Sequence, residues 1–149
     1  MKLLEPLVGG VVDAPALVLD APVSFWGGID YETGRIIDRS HPQCDVLIGG
    51  QCLVVSSIRG SGGTPGNLAD TLRRGCGPAG IVIGYPDINI MTGIVVAERL
   101  YGRACPMFLA DDEQRSAFAS GMHVRISQVG QNLRLEGRRF CPVSMRGQS

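Results

Sequence analysis

Cys52-Leu53-Val54-Val55-Ser56-Ser57-Ile58-Arg59-Gly60-Ser61-Gly62-Gly63-Thr64-Pro65-Gly66-Asn67 joins an apolar run to a glycine-rich turn, and a helical pattern follows at Leu68-Ala69-Asp70-Thr71-Leu72-Arg73-Arg74. A short unbroken apolar run reads as a strand buried on both faces, so the chain here runs strand, loop, helix. At such a junction the unpaired N–H groups of the helix start point toward any anion in the crevice. Gly62 and Gly63 let that anion come close, because neither carries a side chain. Arg59 beside the carboxyl end of a buried strand calls for an anionic partner, and that edge is where open α/β sheets bind ligands. The lysine and hydroxyl of a Walker loop are missing, so a carboxylate suits the turn as well as a phosphate.

The sequence around this junction sets its class. From residue 7 to 55, strand candidates at 10–12, 16–19, 24–26, 34–37 and 52–55 alternate with glycine, proline and aspartate, the pattern of a small barrel. The middle alternates helix and strand: a helix over about 65–74, a strand at 81–83, a helix over about 89–101 and a strand at 107–109. That order predicts α/β layering over a short parallel sheet. Asp111-Asp112 can start a two-turn helix over 113–119, and Val124-Arg125-Ile126 with Leu133-Arg134-Leu135 reads as a hairpin around Gly130-Gln131-Asn132. We take 1–137 as one domain and 138–149, which has no clear period, as a loosely held tail.

Composition excludes several classes. At 149 residues one domain is expected, and 14 basic residues cancel 14 acidic ones, so there is no basic footprint for nucleic acid or an anionic membrane. No apolar run reaches membrane-spanning length, and the N-terminal Met1-Lys2-Leu3-Leu4-Glu5-Pro6 lacks the long apolar core of a signal peptide, which points to the cytoplasm. The five cysteines, Cys44, Cys52, Cys76, Cys105 and Cys141, form no C-x-x-C pair and no zinc spacing with His41 or His123. They read as small apolar residues in a reducing compartment, and any iron must have its ligands on another chain.

Other polar clusters have plainer readings. Asp30-Tyr31-Glu32-Thr33-Gly34 is a turn signal. His41 before Pro42 reads as a turn residue, with a phosphate carrier or proton shuttle as the functional alternative. Phe25-Trp26-Gly27-Gly28 places the single tryptophan beside two glycines, where core packing competes with close approach of a ligand or partner. Asp87 is positioned to cap a second helix whose N-terminus would face the same sheet edge.

Taken together, Ala21-Pro22-Val23-Ser24-Phe25-Trp26-Gly27-Gly28-Ile29-Asp30, Thr33-Gly34-Arg35-Ile36-Ile37-Asp38 with His41-Pro42, Arg59-Gly60-Ser61, Pro78-Ala79-Gly80-Ile81 and Gly93-Ile94-Val95-Val96-Ala97 resemble the small subunit, or swivel domain, of the aconitase X hydro-lyases. The resemblance runs from about residue 9 to 126. It implies a swivelling β/β/α fold, a small open barrel with helices over a short parallel sheet. It also implies a large partner subunit, in a heterodimer or higher assembly, that carries an iron or iron–sulfur centre, with no cofactor or metal held by this chain. Activity would be dehydration of a small hydroxy acid, either cis-3-hydroxy-L-proline to 1-pyrroline-2-carboxylate or mevalonate 5-phosphate. The tryptophan form of Ser-Phe-Trp-Gly-Gly and the Gly34-Arg35-Ile36-Ile37-Asp38 run resemble the bacterial members and tilt the expectation to hydroxyproline.

By the same resemblance Ser61 is the proton acceptor, and Arg59, Gly60, Gly62, Gly63 and Thr64 bind substrate. Family members usually follow this serine with further serine or cysteine. Here Gly62-Gly63-Thr64 stands instead, leaving Thr64 as the nearest hydroxyl. Bringing an aliphatic hydroxyl from a pKa of about 15.7 to about 8 needs roughly 10 kcal/mol, at about 1.36 per unit. A helix N-terminus supplies at most about 2 kcal/mol, so Arg59, exclusion of water and the partner must supply the rest. Two readings of other classes stand beside this one: a phospho-carrier using His41, and a non-catalytic module that only grips an anion.

Overall fold

The computed structural model describes residues 4–60, 62–129 and 132–138. Its elements in order are β1 (Glu5–Val8), β2 (Val12–Val18), β3 (Val23–Ser24), β4 (Cys52–Val55), β5 (Ile58–Arg59), α1 (Thr64–Arg73), β6 (Gly80–Ile83), α2 (Ile88–Tyr101), β7 (Met107–Leu109), α3 (Asp112–Ser116), β8 (His123–Val129) and β9 (Asn132–Arg138). Seven strands form one curled half-barrel sheet in the order β1-β7-β6-β4-β2-β8-β9, and β3 and β5 form a small second sheet. The mixed α/β class expected from the sequence is the one found.

Alternation in the central strands sets the layers. β4 and β6 are buried along their whole length. Leu53, Val55, Ile81 and Ile83 enter one apolar cluster with Leu68, Leu72 and Ile94 of the helices. Cys52, Val54 and Val82 enter the opposite cluster with Phe108, Phe118 and Ile126. Successive side chains of a strand point to opposite faces, so a strand covered on both sides must be apolar at every position. β2, β4, β6 and β7 run parallel to one another, while β8 beside β2 and β1 beside β7 are antiparallel. Each parallel return needs a crossover: α1 provides it from β4 to β6 and α2 from β6 to β7, while the segment holding β3 joins β2 to β4.

The two helices approach closely. A Cβ built on Gly93 of α2 would lie 2.9 Å from the Pro65 carbonyl oxygen of α1, so a larger residue at 93 would push the helices apart. The long segment between β2 and β4 folds over α1 and contributes Phe25, Ile29, Ile36 and Ile48 to the same core.

Several sequence-based boundaries change. The strands expected at 10–12 and 16–19 are one strand, β2. Its first half pairs antiparallel with β8 and its second half parallel with β4, and Pro15 sits where the partner changes. The turn-forming Asp13-Ala14-Pro15 is held extended by that ladder. The strand expected at 34–37 is reduced to single bridges, Ile29 to Ile36 and Arg35 to Leu47, although Ile36 is fully buried. β1 was not expected; it carries Pro6, which an edge strand tolerates, and its register shifts between Pro6 and Val8. The helix expected over 113–119 is the shorter α3, started by a capping box between Asp111 and Gln114. The hairpin of β8 and β9 is present, with its connection at 130–131 outside the described residues. The expected tail also lies outside them, apart from Arg138 at the end of β9. Among the described residues no helix is long and apolar enough to cross a membrane.

Gly34 and Gly50 both have left-handed φ, +75° and +70°, yet their surroundings differ. A Cβ on Gly34 would collide with the Cys76 carbonyl oxygen, whereas Gly50 has open space. Both alanine variants pay about 1–2 kcal/mol for the backbone conformation, and only G34A also forces two backbone segments apart. In urea unfolding G34A is expected to lose at least about 1 kcal/mol more than G50A; equal losses would contradict this packing.

Candidate active site

The turn after β4 is built by a second strand pairing. β5 lies parallel to β3, with Val23 opposite Ile58 and Ser24 opposite Arg59. The Ser24-Phe25-Trp26-Gly27-Gly28 loop is thereby fixed beside Arg59-Gly60. Ser24 Oγ donates to the Trp26 carbonyl at 2.7 Å, and Gly28 folds back so tightly that a Cβ there would strike the Ser24 carbonyl. Trp26, 67% exposed, then lies across Gly63, where any Cβ would overlap its indole. Two glycine-rich stretches far apart in sequence therefore form one surface. The Phe25-Trp26-Gly27-Gly28 signal pointed to a close approach; its partner, Gly63, is visible only in the fold. A groove of about 220 Å³ runs beside it, lined by Trp26, Tyr31, Ile37 and Asn67 among others.

Arg59 is exposed, at the end of β5. Asp38 is its electrostatic neighbour. The Ser40 hydroxyl and then the Ser40 N–H hold the Asp38 carboxyl below its ordinary range, desolvation opposes them, and the charge of Arg59 lowers it further. Gly60 has φ +92° and Gly62 is exposed with nothing near its Cβ position. Ser61 lies outside the described residues.

The two helix starts at this edge differ. Asp87 caps α2: its Oδ1 accepts from the N–H groups of Asn89 and Ile90 at 2.9 and 3.2 Å, and its Oδ2 accepts from the Tyr85 hydroxyl at 2.8 Å. That last bond, helped by burial and by the carboxylate charge, pushes the Tyr85 phenol up. A carboxylate already occupies the positive end of α2. α1 begins at Gly63 with no side-chain cap and has proline in its first turn. Its first residue, Thr64, is fully buried, and its Oγ1 has no hydrogen-bond partner among the described residues. Only α1 therefore offers open donors to an incoming anion.

The remaining candidates resolve plainly. Asp30 accepts from the Glu32 N–H and the Thr33 hydroxyl and closes its own turn. His41 is buried, its Nδ1 accepting from the Gln43 N–H at 3.0 Å and its Nε2 lying 2.8 Å from the Ala21 carbonyl. The backbone donor fixes the tautomer with the proton on Nε2, and no ring nitrogen is left to carry a phosphoryl group. Burial pushes the Cys52 thiol up to about 12 and raises Cys105 further, so neither is a thiolate. Cys44 and Cys76 are half-buried, and Cys141 lies outside the described residues. Among the described residues no three His, Cys, Asp or Glu side chains gather as a metal site.

Residues 4–135 match the family described as Aconitase X swivel domain. The chain is 33% identical over 100 residues to the cis-3-hydroxy-L-proline dehydratase of Hypocrea jecorina, covering 67% of this chain and 17% of that protein. Over 122 residues it is 30% identical to the phosphomevalonate dehydratase small subunit of Thermococcus kodakarensis, covering 80% of this chain and 84% of that one. The crystal structure of Thermococcus kodakaraensis aconitase X in its holo form superposes with a TM-score of 0.76 at 25% identity, covering 91% of this chain and 99% of that chain. The chain thus spans only 17% of the length of the hydroxyproline dehydratase it matches.

The contact of Trp26 with Gly63 is directly measurable, because the chain has one tryptophan. Gly63→Ala must displace the indole, a side chain with room to move, so the unfolding midpoint should change little. Trp26 emission should shift to the red and acrylamide quenching should rise. Unchanged emission would show that the indole does not lie on Gly63.

Proposed function

Because the chain belongs to the aconitase X swivel-domain family, we propose that it is the small subunit of a hydro-lyase that dehydrates a small hydroxy acid together with a larger subunit. The domain is assigned to 1–137. The observation that carries this reading is the contrast between the two helix starts: α2 is closed by Asp87, and α1 is left open beside Arg59. One open helix end with one exposed guanidinium suits a substrate with a single anionic group. That favours cis-3-hydroxy-L-proline over mevalonate 5-phosphate, which carries a carboxylate and a phosphate.

In this reading Arg59 and the α1 amides hold the substrate carboxylate, with Gly60, Gly62 and Gly63 allowing close approach. Ser61 takes the proton from the carbon next to that carboxylate. The electron pair forms the double bond as the hydroxyl leaves the adjacent carbon, and the resulting enamine tautomerises to 1-pyrroline-2-carboxylate. Among the described residues no three metal-ligating side chains gather, and the family resemblance implies that an iron or iron–sulfur centre would be held by the large subunit. Trp26, lying on Gly63, flanks the open α1 end.

The test is the assembled pair assayed on both substrates. Hydroxyproline should be the one turned over. Ser61→Ala should lower kcat by about 10²–10⁴-fold, the usual worth of a general base, with the pair still assembled. Ordinary turnover by Ser61→Ala would overturn the assignment of the base, and turnover of mevalonate 5-phosphate alone would overturn the substrate.

A further inference from the structure

The guanidinium of Arg59 has a fixed neighbour of opposite charge. A chain of backbone contacts carries the segment after Ile36 to the end of β5. The Ile37 N–H donates to the Gly28 carbonyl at 2.9 Å, Gly28 folds back onto Ser24, and Ser24 lies opposite Arg59 in the β3–β5 pair. Asp38, the next residue, is partly exposed, and its carboxyl feels the Arg59 charge.

This carboxylate is held in place and only half used. Its Oδ1 accepts from the Ser40 N–H at 2.9 Å and from the Ser40 hydroxyl at 2.7 Å. Its Oδ2 has no hydrogen-bond partner among the described residues, and no ion pair joins Asp38 to Arg59. Other acids nearby are spent. Asp30 gives one oxygen to the Glu32 N–H and the other to the Thr33 hydroxyl, and Asp87 is taken up by the α2 start and the Tyr85 hydroxyl. His41 is buried with both ring nitrogens engaged, so it brings no charge to Asp38. The edge thus presents one anchored carboxylate and one exposed guanidinium, close enough to sense each other and not neutralised by contact. Such a pair is complementary to a zwitterion and repels a ligand that carries negative charge alone on its Asp38 side.

We propose that Asp38 is the ammonium-binding half of a zwitterion site, its Oδ2 accepting from the ammonium of an amino acid whose carboxylate lies on Arg59. In an α-amino acid the two charged groups share one carbon, which suits two protein charges held side by side. Asp38 is then a specificity-determining residue: mevalonate 5-phosphate has no cation to offer it, and a hydroxyproline has one. A carboxylate beside an ammonium also keeps it protonated, and that positive charge makes the proton on the shared carbon more acidic. The zwitterion site stands on the geometry, and only the identity of the amino acid as the substrate rests on the proposed dehydratase reading.

The test separates the two. The full chain is titrated with L-proline and, separately, with N-acetyl-L-proline, which keeps the carboxylate and lacks the ammonium, while the backbone amides of 37–41 and 58–60 are followed by NMR. L-Proline should give saturable shifts in both segments and bind more tightly than N-acetyl-L-proline. Asp38→Asn keeps an oxygen for the Ser40 N–H, so the turn stands. It should bind L-proline about tenfold or more weakly and N-acetyl-L-proline no worse than wild type does. Absence of L-proline shifts, equal binding of the two ligands by wild type, or equal weakening of both by Asp38→Asn would each overturn the site. In the assembled pair Asp38→Asn should raise KM for cis-3-hydroxy-L-proline, and an unchanged KM would overturn its role in specificity. Failure of the wild-type pair to dehydrate hydroxyproline would overturn the reaction and leave the proline titration standing for the site.

Discussion

Parallel pairing of β4 with β6 is the constraint from which the rest of the molecule follows. Two adjacent parallel strands, buried on both faces, cannot be joined by a hairpin and must be joined by a crossover. Repetition of that unit through β7 brings α1 and α2 onto the same face. Both helices then begin at the carboxyl edge of the sheet, and the Tyr85 hydroxyl after β6 comes within 3.5 Å of the Ile58 carbonyl after β4. The topology thus gathers both helix starts at one edge, the place proposed for the chemistry.

The edge is made asymmetric by two residues. Asp87 satisfies the α2 amides and neutralises that end, while Gly63 gives α1 no cap. A glycine N-cap leaves the first amides without a side-chain acceptor, at a cost of about a few tenths of a kcal/mol against a capping side chain. The buried, unpaired Thr64 hydroxyl adds to that cost at the same place. Local rules broken together at one point, in a chain that obeys them at α2 and α3, are the mark expected of a functional site. Trp26 lies over this point because β3 pairs with β5, so the lobe between β2 and β4 and the helical layer meet at the open end of α1.

Much of this was legible in the sequence. The apolar run 52–55, the apolar periodicity of both long helices and the Asp87 cap are local signals, and each leads to the element found. The glycine-rich turn between strand and helix is legible for the same reason, since the three are adjacent in the chain. Elements held by distant partners were misjudged. Asp13-Ala14-Pro15 reads as a break, yet β8, more than a hundred residues away, holds it in a strand. Residues 34–37 carry an apolar alternation that ends up as isolated bridges packed over α1. The pairing of Ser24 with Arg59 and the seating of Trp26 on Gly63 depend on the same kind of long-range contact, so no local pattern specifies them. The role proposed for Ser61 rests on resemblance alone.

The central claim is that this chain brings the proton acceptor to a site completed by a second subunit. Exchange of the substrate proton next to the carboxylate tests it more directly than turnover does. The assembled pair is held with cis-3-hydroxy-L-proline in heavy water, and deuterium in recovered substrate is followed by mass measurement. The account predicts incorporation with the wild-type pair, none with either chain alone, and none with Ser61→Ala in the pair. Exchange that persists in the Ser61→Ala pair at the wild-type rate would place the base elsewhere and contradict the account.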